Sequence, residues 1–149
     1  MTGWDEFAAG LAEELAALPE GAIVKIIQSN SNSEVDPYAQ FVQTSDRVWA
    51  ELVSDKWLDS AAQAGAAGNE LIAGAGWQLP DFQHGDNWWI ELPWPIRTAD
   101  YTRLATMVVV GLRDALHVAE PTDLVYRAWN ENTGNSPLEL PALGLSRAG

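Results

Sequence analysis

Residues 38–53 read YAQFVQTSDRVWAELV, and this stretch decides the fold. On both sides of residues 44–46, apolar and polar side chains alternate, which is typical of a strand that buries one face. A connection of three polar residues between two such runs is short enough to join antiparallel neighbours. The stretch therefore predicts an antiparallel hairpin of strands at Tyr38–Gln43 and Arg47–Val53.

Outward from this hairpin, the periodicity predicts further helices and strands. The predicted elements are a helix at 2–18, strands at 22–28, 38–43 and 47–53, a short helix at 69–75, a strand at 88–92, a long helix at 98–118 and a strand at 123–129. Hairpin-linked strands flanked by helices indicate a single α+β domain, in which helices cover one face of an antiparallel sheet. The order of elements is α-β-β-β-α-β-α-β.

The C-terminal residues carry no clear period. We therefore divide the chain into a domain at residues 1–132 and a tail at residues 133–149. Two outcomes are open for the apolar PLELPALGL of the tail. It either docks on a groove of the domain, where it would compete with a ligand, or remains a disordered terminus.

The predicted helix at residues 98–118 has an unusually broad apolar stripe. The stripe includes Tyr101, Leu104, Met107, Val108, Gly111, Leu112, Ala115 and Leu116, and is widened by Val109 and Val110. A helix covered on one side only needs a narrower stripe. We therefore expect the helix to be buried on more than one side, either across a sheet or between a sheet and a second subunit. We also expect a homodimer in which this helix, or strands beside it, is buried across subunits.

Single residues at the helix ends support two further expectations. Gly76 follows the short helix and is expected to take a left-handed C-cap conformation that places Trp77 against the sheet. His117 falls in the last predicted turn of the long helix, where a cation interacts favourably with the negative end of the helix dipole.

The composition excludes several classes of function. Eight Lys and Arg against 21 Asp and Glu give the 149-residue chain a net charge of −13, which disfavours nucleic acid and anionic membrane surfaces as partners. The sequence has no cysteine and therefore no thiolate or Cys-based metal site. No apolar run approaches the roughly 20 residues that cross a bilayer. The N-terminal stretch MTGWDEFAAG has no signal-peptide pattern, so we expect a cytoplasmic protein.

Catalytic motifs are sparse in this sequence. It contains neither a strand-associated glycine-rich phosphate loop nor a GxSxG motif. One polar turn places Asp81, His84 and Asp86 together, and their oxygen and nitrogen atoms are possible metal ligands. Asp and Gly are also common in turns for conformational reasons alone. We expect no catalytic residue, cofactor or metal, and keep a weak metal-dependent enzyme at this turn as an alternative.

Tryptophan is the most informative residue type, with eight in the chain. Trp88 and Trp89 are adjacent in a predicted strand and must point to opposite faces of the sheet. Large amphipathic aromatic side chains on an exposed face are frequent anchors of a binding surface. All eight could instead complete the core. The predicted binding residues are Trp49, Trp88, Trp89, Trp94, Tyr126 and Trp129.

Four segments together resemble a known bacterial family. They are GWQLPD at 76–81, WWIELPW at 88–94, TADYTRLATMVVVGLRDAL at 98–116 and DLVYRAWNE at 123–131. The chain resembles the TY-Chap family over residues 4–132; that family is grouped with type III secretion chaperones and YbjN-like proteins as peptide-binding chaperones. The resemblance implies a dimeric, non-enzymatic chaperone without catalytic residues. In the secretion chaperones a long helix comes last, whereas here a strand follows it.

These observations lead to one hypothesis and two alternatives. The leading hypothesis is a module that holds an apolar segment of a protein or peptide client on an aromatic-lined sheet or groove. Sheet edges would bond the client main chain, and aromatic pockets would accept its side chains. The first alternative is a carbohydrate- or small-ligand-binding module that uses the Trp88–Trp94 cluster. The second is the metal-dependent enzyme at Asp81, His84 and Asp86.

Overall fold

The computed structural model describes residues 3–29 and 35–148, and within them the predicted order of elements is confirmed. The helices are α1 (Trp4–Ala17), α2 (Gly65–Ala75) and α3 (Thr98–Val109). The strands are β1 (Ala22–Gln28), β2 (Tyr38–Gln43), β3 (Arg47–Leu52), β4 (Trp88–Pro93), β5 (Leu124–Asn130), β6 (Ser136–Pro137) and β7 (Ser146–Arg147). The predicted helix start at Thr2 lies outside the described residues.

One sheet contains all the strands of the described residues, in the order β4-β3-β2-β1-β5-β6. Neighbours along this order are antiparallel, as predicted for an α+β domain. The exception is β7, which pairs with β5 in parallel beside β6. Neither β6 nor β7 is predicted from the sequence, because each is only two residues long and has no periodicity to detect.

The core lies between one face of the sheet and the three helices. Alternate strand residues such as Val24, Phe41 and Ala50 are fully buried against the helices. Helix α3 lies between α1 and α2. None of the helices in the described ranges is long and apolar enough to cross a membrane.

The long helix differs from its prediction in two ways. Its broad apolar stripe is buried within one chain by the sheet and the neighbouring helices, so its width does not require a second subunit. After Val109 the helix widens into a π turn over Val110–Ala115 and ends there. His117 lies beyond the helix, exposed and with φ of 61°, so it is not part of a final helical turn.

Helix α2 begins at Gly65, earlier than the predicted start at residue 69, and it is capped as predicted. Gly76 follows it with φ of 121°, a conformation that side chains rarely adopt. The chain reversal inserts Trp77 into the core, where its indole N–H donates to the Met107 carbonyl over 3.0 Å. The cap therefore fixes a large core residue against α3.

The C-terminal residues pack on the domain. Strands β6 and β7 lie along the outer edge of β5, and the turn Pro141–Leu143 between them contacts α1. Leu140 and Leu143 of this segment are buried in the core. Docking is therefore the outcome that the structure shows for the apolar tail.

Candidate functional site

The helices leave the second face of the sheet uncovered, and we call this surface the open face. Its side chains alternate with the core residues along each strand and are half-buried or exposed. They are Ile23, Lys25, Ile27, Tyr38, Gln40, Val42, Arg47, Trp49, Glu51, Trp89, Glu91, Val125, Arg127 and Trp129. The open face combines aromatic, aliphatic and charged side chains.

An apolar row crosses the open face at right angles to the strands. Trp49 is paired with Val42, Val42 with Ile23, and Ile23 with Trp129. Paired residues project from the same face, and neighbouring strands lie about 4.8 Å apart. These four side chains, the apolar row, therefore form a strip about 14 Å long with a tryptophan at each end.

A row of charged and polar side chains runs beside the apolar row. Glu51 is paired with Gln40, Gln40 with Lys25, and Lys25 with Arg127. We call these four residues the charged row. It is acidic at the end near Trp49 and basic at the end near Trp129.

The aromatic corner of the open face is formed by β3, β4 and the turn Phe82–His84. The His84 ring stacks on Trp89 with 3.8 Å between centroids and 2° between planes, and lies 4.8 Å from Trp49. The indole N–H of Trp49 donates to Glu51 over 2.7 Å, and that of Trp89 donates to the Leu79 carbonyl over 3.0 Å. Both indoles are therefore held in fixed orientations.

Acidic residues hold the buried His84 from both sides. Its Nδ1 lies 2.6 Å from Asp81, and its Nε2 lies 2.8 Å from Glu91, which also accepts from Arg47 over 2.6 Å. Burial by itself lowers the pKa of His84, but the bonds to Glu91 and Asp81 outweigh it, so the pKa is raised above its ordinary value. The bonds from His84 and Arg47 lower the pKa of Glu91. The arrangement favours an imidazolium between two carboxylates.

This geometry does not assemble the metal site suggested by the sequence. Both ring nitrogens of His84 are occupied by carboxylates, and Asp86 turns away to form an ion pair with Lys56 at 2.6 Å. Across residues 3–29 and 35–148, no group of three or more metal-ligating side chains is close enough to hold an ion. Asp81, His84 and Asp86 therefore do not converge on one metal position in this structure.

Asn87 connects the aromatic corner to the rest of the sheet. Its side-chain oxygen accepts from the Ser54 backbone N–H, and its amide donates to Tyr38 and to Glu51, all over 3.1 Å. Because Asn87 is buried, each of these bonds replaces one that water would make. They fix the start of β4 against the end of β3.

The six predicted binding residues occupy three different environments. Trp49, Trp89 and Trp129 lie on the open face, and Trp94 is exposed just after β4. Trp88 and Tyr126 project from the opposite face and are buried, with exposed fractions of 5% and 4%. A partner on the open face therefore does not reach those two side chains.

The predicted sugar-binding cluster is not one surface. The adjacent Trp88 and Trp89 point to opposite faces of the sheet, as expected, and His84 covers a face of Trp89. Conversely, the binding residues predicted from the sequence are all aromatic and do not include Ile23 and Val42 of the apolar row. Their signal was the alternation of β1 and β2, but the strand pairing that aligns them with Trp49 and Trp129 is not encoded locally.

The two edges of the sheet are largely occupied by the chain itself. At the β4 edge, Gln78 exchanges two backbone hydrogen bonds with Trp89, at 2.8 and 3.3 Å, and Pro93 has no N–H to donate. At the other edge, β6 and β7 cover β5. The expected addition of a client strand to a sheet edge therefore has little free main chain to use, whereas the open face remains accessible.

Fold and surface together define a class of protein: an α+β domain whose accessible sheet face carries an aromatic-ended apolar row. A family model described as T3SS (YopN, CesT) and YbjN peptide-binding chaperone 3 matches residues 1–130. The chain belongs to this family of peptide-binding chaperones, TY-Chap3. Neither the curated proteins nor the solved structures include a match to it.

Proposed function

We propose that this protein is a non-enzymatic, cytoplasmic chaperone that holds an apolar segment of a protein client on the open face of its sheet. Membership in a peptide-binding family supports the class of activity. The apolar row, Trp49–Val42–Ile23–Trp129, is the observation that carries the location. We propose residues 1–132 as the binding unit, with residues 133–149 as its tail.

The apolar row provides the affinity in this proposal. Its end residues are rigid aromatic side chains, which bind at a low cost in conformational entropy, and its middle residues are half-buried aliphatics. A client segment lying along the row removes these side chains from water, at about 25 cal/mol per Å² of apolar area. We therefore propose Trp49, Trp89, Trp94 and Trp129 as binding residues, together with Ile23 and Val42.

The charged row provides the orientation. Lys25 and Arg127 lie beside Ile23 and Trp129, whereas Glu51 lies beside Trp49. A client with acidic residues near the Trp129 end and basic residues near the Trp49 end complements this pattern. Charges at the rim of a surface affect association rate and specificity more than final affinity.

A peptide titration tests the location of the site. The probe is a labelled 12-residue peptide in which leucine alternates with serine, with glutamates at one end and lysines at the other. Changing Val42 to Ser at the centre of the apolar row is expected to weaken binding about tenfold, because a buried aliphatic contact is lost. Val125→Ser, the same change on the open face but outside both rows, is the matched control and is expected to bind like the native protein. Equal affinities of the Val42 and Val125 variants would remove the apolar row as the site.

We also propose that the protein is a homodimer, through the segment that borders β4. Leu79 and Phe82 are exposed there, with exposed fractions of 71% and 90%. Large apolar side chains exposed together are frequent at subunit contacts. Sedimentation should give a dimer for the native chain and a monomer for Phe82→Ser, with Gln83→Ser as the control. A native monomer at high concentration would contradict this assembly.

A further inference from the structure

The C-terminal segment, residues 134–148, occupies a groove between helix α1 and the outer edge of β5. We propose that this groove, the α1–β5 groove, is a second peptide site, which the chain fills with its own C-terminal segment. In trans it takes a segment with two leucines three residues apart on a single turn, as at Pro141–Leu143. This inference rests on the proposed peptide binding but concerns a different surface from the open face. The family model ends at residue 130, so the occupant lies outside the matched region and its receptor lies inside it.

The domain recognises the main chain of the C-terminal segment. The N–H of Leu138 donates to the Ala128 carbonyl over 2.9 Å, and that of Ala148 donates to the Tyr126 carbonyl over 2.8 Å. Between them, the N–H of Leu140 donates to the Tyr126 hydroxyl over 3.0 Å, and that of Ala142 donates to the Glu14 carboxylate over 2.7 Å. Main-chain bonds of this kind accept many sequences, as in β-strand addition.

Two side chains of the segment supply its buried apolar contacts, and Leu138 and Leu145 add partly buried ones. Leu140 and Leu143 are buried, whereas Glu139 and Pro141 beside them are exposed. The groove therefore selects leucine at two positions and tolerates other residues between them. This pattern defines the class of segment that fits: L-x-x-L in which the second leucine ends a single turn.

Gly10 of α1 lies directly against the main chain of the C-terminal segment. A Cβ atom built on Gly10 would lie 1.8 Å from the Ala142 carbonyl oxygen, far closer than any van der Waals contact. Glycine inside a helix costs about 0.5–1 kcal/mol relative to alanine, so its presence here is explained by the close approach of a second main chain. The receptor is thus shaped for a peptide backbone at this point.

The pairing that holds the C-terminal segment is short. Strands β6 and β7 each pair with β5 over two residues, whereas β1 pairs with β5 over seven. The residues of both short strands are exposed. A segment tethered by a short linker competes with a separate peptide for the groove at an effective concentration in the millimolar range. The tethered segment therefore limits the binding of a peptide in trans without excluding it.

A variant of the full chain opens the groove without altering the groove itself. In Leu140→Ser/Leu143→Ser the tethered segment loses both anchors. The probe is a labelled peptide of residues 135–148, NSPLELPALGLSRA, with a control peptide carrying serine at both leucines. The open variant is expected to bind the probe at least about tenfold more tightly than the native chain, because the competing tether is removed. Equal affinity, or no binding by a folded open variant, would overturn the inference.

Two further variants identify the surface that binds the probe. Adding Gly10→Ala to the open variant is expected to lower its affinity for the probe about tenfold or more, because the new methyl group would collide with the main chain of the peptide. Gly74→Ala, in α2 with no atom within 4 Å of its added Cβ, is the matched control. Val42→Ser is expected to leave probe binding unchanged. Unchanged binding of the alternating peptide by Val42→Ser would therefore contradict the open-face site and leave the groove intact.

Hydrogen exchange of the native chain provides a test that needs no variant. The amides of Leu138, Leu140, Ala142 and Ala148 are expected to exchange through a local opening, at least about tenfold faster than those of the β1–β5 ladder. Exchange of both sets at the rate of global unfolding would mean that the C-terminal segment never leaves the groove, and would overturn the inference.

Discussion

The imidazole of His84 lies flat on the indole of Trp89, with 3.8 Å between the ring centroids and an angle of 2° between the planes. Asp81 and Glu91 hold the two ring nitrogens from opposite sides. A charged imidazolium on an aromatic face adds a cation–π attraction to these bonds. Protonation of His84 therefore strengthens the contacts that join the turn Phe82–His84 to the aromatic corner.

The pKa of His84 is expected to exceed its ordinary value of 6.5. Burial lowers this pKa, but the hydrogen bonds to Glu91 and Asp81 raise it by more. Because the pKa is raised on folding, the stabilisation by the charged ring is complete below 6.5 and is lost as the pH rises through the folded value. An NMR titration of the imidazole should give a midpoint above 6.5.

The same titration has an internal control. His117 is the other histidine in the sequence and is exposed, so His117→Gln should leave the His84 midpoint unchanged. His84→Gln should remove the pH dependence of the unfolding free energy in this range. A His84 midpoint at or below 6.5 would contradict the model of an imidazolium held by two carboxylates.

Gly76→Val is expected to destabilise the protein by about 1–3 kcal/mol, because a β-branched residue is strained at positive φ. The new Cβ would also lie 3.1 Å from the Arg103 guanidinium. Gly74→Ala, two residues earlier and inside α2, is the matched control. It should stabilise by about 0.5–1 kcal/mol, since alanine favours the helix. Urea unfolding measures both, and similar effects of the two changes would refute the cap.

Asn87→Asp keeps the acceptor for the Ser54 N–H but replaces the two donated bonds with a negative charge beside Glu51. We expect a loss of about 1–3 kcal/mol in the free energy of unfolding at neutral pH. Adding Glu51→Gln should recover part of this loss, because the repulsion is then removed. A double-mutant cycle with no coupling between the two positions would show that they do not interact in the folded protein.

Pro93→Thr is expected to promote association of chains through the β4 edge. In the native chain, Pro93 lies in the edge strand and cannot donate a hydrogen bond outward. Threonine supplies the missing N–H and a stronger strand preference. Light scattering at rising concentration should detect larger species for Pro93→Thr than for Gln40→Thr, which changes a central strand. Identical scattering would mean that other features protect this edge.

The elements of the fold were predictable because each has a periodicity of its own. The hairpin at 38–53 was evident from alternation and a short polar turn, and the burial of Trp88 against the half-exposure of Trp89 follows from strand geometry. The sequence correctly indicates that the apolar stripe of α3 is wide. It does not indicate that the sheet and helices of the same chain, and not a second subunit, cover that stripe. One chain provides a sheet and two helices around α3, and sequence periodicity does not say which neighbours cover a face.

The candidate site was predictable only in part. Tryptophans are conspicuous in a sequence, so Trp49, Trp89 and Trp129 were among the predicted binding residues. The apolar row, in contrast, depends on the register of β1, β2, β3 and β5. The pairing of His84 with Glu91 joins a turn to a strand, and its distances arise only after β4 is placed. Interactions that depend on tertiary register have no local signal, whereas caps and turns do.

The bond between the Ala142 N–H and Glu14 joins residues 128 positions apart, and it determines when the first helix can complete its packing. Helix α1 is synthesised before the strands of the sheet, but Leu143, which is fully buried beside it, is synthesised more than a hundred residues later. Until then α1 lacks part of its packing surface. Contacts between such distant parts of the chain close slowly and leave apolar surface exposed in the meantime.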